Sequence, residues 1–115
     1  MSITMYHNPR CSKSRKTLEL LREKGIEPEI VEYLKTPPDA ATLERLLYML
    51  GMEPRELMRT KEKEYKENDL ANPDLTRNAL IAAMVANPKL IERPIVVLDD
   101  KAALGRPPET VLDIL

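Results

Sequence analysis

Short β-patterned runs open and close the chain, and helical spacing fills the stretch between them. Ile3-Thr4-Met5-Tyr6 alternates along its length, which predicts a first strand ending at His7-Asn8-Pro9. A helix is expected from about Ser12 to Lys24, with Leu18 and Leu21 on its inner face and Gly25 as its C-terminal cap. Glu29-Ile30-Val31-Glu32-Tyr33 reads as a second strand. Strand, helix and strand in so short a stretch predict a right-handed βαβ unit with parallel strands.

Thr36-Pro37-Pro38-Asp39 breaks this pattern. Leu43, Leu46, Leu47 and Leu50 then fall at i, i+3, i+4 and i+7, an apolar helix stripe that Gly51 stops. Glu53 to Arg59 predicts another short helix. From Thr60 to Leu75 charge dominates, as in Lys61-Glu62-Lys63-Glu64, so a solvated helix or loop is expected there rather than a binding tail. Thr76 is placed to cap one more helix, with Leu80, Ala83, Met84 and Asn87 along one side.

The strand signature returns in Pro94-Ile95-Val96-Val97-Leu98. Asp99-Asp100 predicts a turn, Ala102 to Gly105 a short paired strand, and Pro107-Pro108 the first turn of a final helix ending at Leu115. The class is therefore α/β. One domain spans residues 1–115, with a βαβ unit, a helical lobe inserted over 39–90, and a closing ββα unit.

Composition narrows what such a domain does. The chain has four Tyr and neither Phe nor Trp, so its core must be aliphatic and it offers few stacking platforms for single-stranded nucleic acid. A formal net charge of −1 gives no bulk attraction to nucleic acid or to a membrane surface. Anion binding must come from a few local arginines. The N-terminus lacks the order of a signal peptide, and the longest apolar run, Ala79 to Ala86, is too short to span a bilayer. With a single cysteine, no internal disulfide can form, and one Cys with one His makes no plausible metal site. A reducing cytoplasm is the expected location.

That cysteine, Cys11, follows the first strand and begins the first helix. Free amides and the positive dipole end at a helix N-terminus favour thiolate over thiol, and can bring a cysteine of pKa about 8.5 toward neutrality. The same amides would cradle an oxyanion. Arg10, Lys13 and Arg15 add positive charge nearby, and Ser12 and Ser14 add hydroxyls. A lone cysteine is more often a small buried hydrophobe. Its placement in a polar, basic strand-to-helix junction favours the nucleophile. Cys11-Ser12-Lys13-Ser14 is a C-x-x-S arrangement, and Ser14 cannot resolve an oxidised Cys11, so an external thiol such as glutathione must do so. A phosphatase-type loop is disfavoured, since Thr17 stands where its arginine would be.

Three segments taken together carry a stronger signal. His7-Asn8-Pro9-Arg10-Cys11-Ser12-Lys13-Ser14-Arg15, Glu92-Arg93-Pro94-Ile95-Val96-Val97 and Gly105-Arg106-Pro107-Pro108 closely resemble the glutaredoxin-linked bacterial arsenate reductases. The resemblance runs along essentially the whole chain, through the Val-Leu-Asp-Ile-Leu ending. It implies a thioredoxin-like core (βαβ … ββα) interrupted by a helical insertion. It implies further that Cys11 attacks arsenate with loss of water, that glutathione attacks the adduct, and that glutaredoxin completes a two-electron reduction to arsenite.

The anion-binding arginines implied by the resemblance are Arg59, Arg93 and Arg106; Arg55, one helical turn before Arg59, is the competing assignment for the first. Guanidinium forks suit a tetrahedral oxyanion, lower a neighbouring thiol pKa and stabilise transition-state charge. Pro94 falls where thioredoxin-like folds carry a cis-proline, with a trans proline opening a strand as the alternative. The resemblance also sets His7 near the thiolate, where it either tunes Cys11 or serves a structural role. Asn8 is expected to order the loop through side-chain hydrogen bonds. The expected enzyme is a monomer without a bound cofactor or metal, taking glutathione as co-substrate and glutaredoxin as partner. Two further readings are a glutathione-dependent thiol oxidoreductase with another substrate and a redox-responsive regulator that binds RNA polymerase. Ser14 in place of a second cysteine counts against the regulator.

Overall fold

The computed structural model describes residues 2–115, which fall into two compact units. One is built from the two ends of the chain, through Thr36 and from Arg93 onward; the other is Pro37–Glu92. The inserted unit thus spans 37–92, wider than the 39–90 drawn from the sequence. Its last residue is held by the Glu92 N–H donating to the Leu57 carbonyl at 2.7 Å.

The unit made from the chain ends holds a four-stranded sheet of order β2-β1-β3-β4. Its strands are β1 (Ile3–Tyr6), β2 (Glu29–Val31), β3 (Ile95–Leu98) and β4 (Lys101–Leu104). β1 runs parallel to β2 and antiparallel to β3, and β3 pairs antiparallel with β4. Met5, Val96 and Ala103 lie side by side across three strands, so one face presents a continuous apolar row. Helix α1 (Ser12–Glu23) and the C-terminal turn Pro108–Ile114 cover it, burying Leu21 and Val111 against that row. The core is aliphatic, as the composition requires.

In this unit the second strand and the closing element differ from the sequence reading, and β4 begins and ends one residue earlier than expected. The second strand stops at Val31 rather than Tyr33, because the Glu32 carbonyl accepts the N–H groups of Lys35 and Thr36 at 2.9 Å each and turns the chain. Tyr33 is buried by that turn. The closing element is a 3₁₀ turn and not an α-helix. It is short and carries β-branched Thr110, Val111 and Ile114, which crowd the preceding turn of an α-helix.

In the inserted unit, α2 spans Ala40–Leu50, α3 Lys63–Glu67 and α4 Arg77–Ala86. Pro54–Leu57 and Pro88–Leu90 are 3₁₀ turns, the first standing where a short helix was expected. The helix signals work as local chemistry. Asp39 Oδ1 accepts the Thr42 N–H at 2.8 Å, and Thr76 Oγ1 accepts that of Ala79 at 3.1 Å. Gly51 ends α2 in the left-handed region at φ 66°, where the Met52 N–H reaches the Leu47 carbonyl at 3.0 Å. Leu43, Leu46, Leu47, Leu80 and Met84 are buried. Met58 and Ile91 form an isolated antiparallel bridge that ties the two non-helical stretches together. Among the described residues, no helix is long and apolar enough to cross a membrane.

Candidate active site

Cys11 occupies the N-cap of α1, with extended backbone at φ −92° and ψ 124°, and its carbonyl accepts the first intrahelical N–H, from Arg15, at 3.0 Å. Asn8 shapes the turn before it. The Asn8 side-chain Oδ1 accepts the Arg10 N–H at 3.0 Å, and its main-chain carbonyl accepts the Cys11 N–H at 3.0 Å. One buried asparagine thereby fixes the chain on both sides of Pro9.

Behind this turn lies a buried polar link. Ser14, fully buried, accepts the Asn8 N–H on its Oγ at 3.1 Å, and the same Oγ hydrogen-bonds His7 Nδ1, 2.6 Å away. Burial lowers the His7 pKa; Glu32 opposes this, while Arg22 and Arg15 add to it. Burial thus favours the neutral imidazole. It reaches the cysteine through Ser14, whose own amide faces the sulfur. The sequence showed Ser14 only as a residue unable to resolve a disulfide. Its role as the junction of His7, Asn8 and the helix start depends on a three-dimensional contact that C-x-x-S spacing does not encode.

At the sulfur, partial burial pushes the Cys11 thiol up, but the Ser14 amide, the Arg93 guanidinium and the Lys13 amide together outweigh it and hold the pKa below the ordinary value. Arg93 is half-buried. Burial pulls its pKa down, and the neighbouring Tyr33 and Cys11 raise it overall, so its positive charge is secured. The sequence pattern marks Tyr33 only as the end of a strand, and the turn at Glu32 is what delivers it to Arg93.

Arg93-Pro94 is a cis peptide, as is Arg106-Pro107. Arg106 is exposed and its Nη1 donates to the Arg93 carbonyl at 3.5 Å, so the two Arg-Pro corners lie together. Gly105 permits their approach: its N–H donates to the Pro94 carbonyl at 2.9 Å, and a Cβ there would lie 2.6 Å from Thr17 Oγ1 and 2.7 Å from Pro94 Cγ.

Cys11, His7, Asn8, Ser14, Arg93, Pro94 and Arg106 all belong to the sheet-bearing unit, whereas Arg59 belongs to the helical one. There Arg59 is mostly buried and flanked by carboxylates, with Nε 3.3 Å from Glu62 and Nη1 3.9 Å from Glu92. Its main-chain N–H donates to the Leu90 carbonyl at 2.7 Å, beside the Met58–Ile91 bridge. Arg55, the competing assignment, has its guanidinium committed to the main-chain carbonyls of Leu70 and Asn72. These bonds clamp Arg55 to the stretch that follows α3.

Comparison with known proteins agrees with this geometry. The ArsC family model matches residues 6–114. The chain is 64% identical over 114 residues to the uncharacterized Escherichia coli K12 protein YfgD, covering 98% of this chain and 96% of that one. It is 50% identical to the arsenate reductase of Haemophilus influenzae, with both chains fully covered. Among solved structures, the arsenate reductase from Vibrio cholerae superposes with a TM-score of 0.98 at 54% identity, covering 100% of this chain and 98% of that one. The thioredoxin-like α/β fold implied by the three sequence segments is the fold of this chain.

Proposed function

Since the chain belongs to the ArsC family, we propose that it is an arsenate reductase that draws its electrons from glutathione and glutaredoxin. One observation carries the reading: a cysteine at a helix N-cap whose sulfur faces the Ser14 and Lys13 amides and the Arg93 guanidinium. These groups favour a thiolate, and they are the donors an arsenate oxygen would need.

In this reaction the Cys11 sulfur bonds to arsenic and one arsenate oxygen leaves as water. Glutathione adds its sulfur to the same arsenic with loss of a second water. A glutaredoxin thiolate then attacks the glutathione sulfur. The glutathione S–As bond breaks with its electron pair left on arsenic, which passes from As(V) to As(III), while glutathione and glutaredoxin depart as a mixed disulfide. Water cleaves the remaining Cys11–arsenic bond to release arsenite and regenerate Cys11. Arg93 and Arg106 hold the anion's charge during the first step. Cys11 has no thiol partner of its own, so a cytoplasm rich in glutathione is the compartment this chemistry requires.

The test is NADPH-coupled arsenate reduction with glutathione, glutaredoxin and glutathione reductase, comparing the native protein with Cys11→Ser. Arsenate-dependent NADPH oxidation is expected, and Cys11→Ser should abolish it. A Cys11 that alkylates readily while arsenate drives no turnover would refute the reading and favour a glutathione-dependent thiol oxidoreductase.

A further inference from the structure

A groove of about 410 Å³ opens beside the turn that carries Cys11, within the range of small-molecule sites. Pro9 and Arg10 form one side of it, and Glu32, Leu34 and Lys35 the other. Pro9 and Arg10 are the middle residues of the turn closed by Asn8 and Cys11, whose main-chain O···N distance is 3.0 Å. Such a turn holds its end residues within about 7 Å of each other, so the groove wall and the cysteine share one turn.

The charges in this groove are available to a ligand. Arg10 is exposed, and only its main-chain N–H is engaged; its guanidinium has no acceptor among the described residues. The neighbouring arginines are spent, Arg15 on the Pro9 carbonyl at 3.1 Å and Arg22 on Glu27 at 3.0 Å. Lys35 meets Glu32 at 3.7 Å with its side chain 78% exposed, a solvent-screened pair that exchanges partners at little cost. Burial favours the neutral form of His7 beside them. Two exposed cations therefore face one carboxylate, with Pro9 and Leu34 also lining the groove.

We infer that this groove is the glutathione subsite: Arg10 and Lys35 take the tripeptide's two carboxylates, Glu32 takes its γ-glutamyl ammonium, and its central thiol is presented toward the arsenic on Cys11. Glutathione carries that complement of charges at neutral pH, two negative and one positive, opposite in sign to the groove's. Extended, three residues span roughly 10 Å, enough to bridge the groove with the thiol midway. A second groove, of about 620 Å³, runs along α1 past Leu18 to Glu23. It also reaches His7 and Pro9, but it balances Arg15 and Arg22 with Glu19 and Glu23, so it lacks the net positive charge.

This assignment rests on glutathione being the co-substrate, and the experiment separates the two claims. In the coupled assay, the double variant Arg10→Ala/Lys35→Ala should raise the KM for glutathione about tenfold while leaving the KM for arsenate within about twofold. Arg22→Ala, in the other groove, should change neither. Independently of turnover, S-methylglutathione titrated into the native protein should shift the amide NMR signals of Arg10, Leu34 and Lys35, and those shifts should be lost in the double variant. Native protein that turns over arsenate with an unchanged glutathione KM in the double variant would overturn the subsite and leave the proposed function standing. Should arsenate turnover be absent, the NMR titration decides: shifts in this groove keep a glutathione site, and shifts elsewhere or none eliminate it.

Discussion

The two units of this molecule bury different things. Every buried side chain of the helical unit is apolar among the described residues, from Pro38 through the leucine stripe to Ile91. The sheet-bearing unit also has an aliphatic core, yet it buries His7, Asn8, Ser14 and Thr17, all within the strand end, turn and first helix around Cys11. A buried polar group costs free energy unless it is paired, and these four are paired mainly with one another and with nearby backbone. That difference separates stability from chemistry. Substitutions in the helical core should act on folding and leave the sulfur as it was, while substitutions among the buried polar groups should act on both.

The largest effect tests the first half of this contrast. Leu47 is 1% exposed between two helices of the inserted unit, and Leu47→Ala removes buried methyl groups and leaves a cavity. A loss of about 2–5 kcal/mol is expected in urea unfolding. The pH dependence of Cys11 alkylation should stay where it is. If that profile moves with stability, the units are not dividing the work as described.

Arg93 tests the second half. With its guanidinium gone, the sulfur keeps the Ser14 and Lys13 amides but loses its nearest positive charge. Arg93→Ala should lower kcat/KM for arsenate by roughly a hundred- to a thousandfold, the scale of a lost oxyanion donor. It should also move the alkylation profile of Cys11 to higher pH. An unmoved profile would remove Arg93 from the thiolate's environment whatever happened to turnover.

Ser14→Ala comes next. It leaves the Asn8 N–H and one nitrogen of His7 without their buried partner, and each such orphan costs about 1–3 kcal/mol when no water replaces it. Ser14→Thr keeps the hydroxyl and should restore part of the stability lost in Ser14→Ala. Equal instability of the two variants would mean that packing volume, and not the hydrogen bonds, is what Ser14 supplies.

How far these features could be read from the chain follows the same division. The helix signals in the inserted unit are local: Asp39, Gly51 and Thr76 act on residues within one turn, so sequence alone places α2 and α4 closely. Cys11 at the start of α1 is legible for the same reason, because a strand, a Pro-containing turn and a helix succeed one another in the chain. Contacts across the fold were not. Tyr33 beside Arg93, the Gly105 approach to Thr17 and Pro94, and the Ser14–His7 bond all join residues that no spacing rule connects. Motif context marked Arg93 and Arg106, but a motif carries no information about the aromatic hydroxyl packed beside one of them. The final 3₁₀ turn escaped for a subtler reason: Pro107 and Pro108 announce a helical start but not how tightly the residues after them wind.

The smallest predicted effect reaches the buried polar link through pH. The folded protein holds His7 at a pKa below its unfolded value of about 6.5, chiefly because burial disfavours the imidazolium. The unfolded chain therefore binds the proton more readily, and stability rises with pH through this window. The contribution of His7 is fully present above about pH 6.5 and is lost as pH falls toward its lowered folded value. Glu32 works against the shift and Arg15 and Arg22 with it, so neutralising Glu32 should deepen the acid sensitivity. Urea midpoints at pH 7.5 and pH 5.5 for the native protein and for His7→Gln measure the difference. The native protein should lose more stability between the two pH values than the variant, which keeps a polar side chain but has nothing to protonate. Equal losses would mean that the acid response comes from the surface carboxylates, and that the buried link around Cys11 shapes the thiolate without acting as a titrating part of the fold.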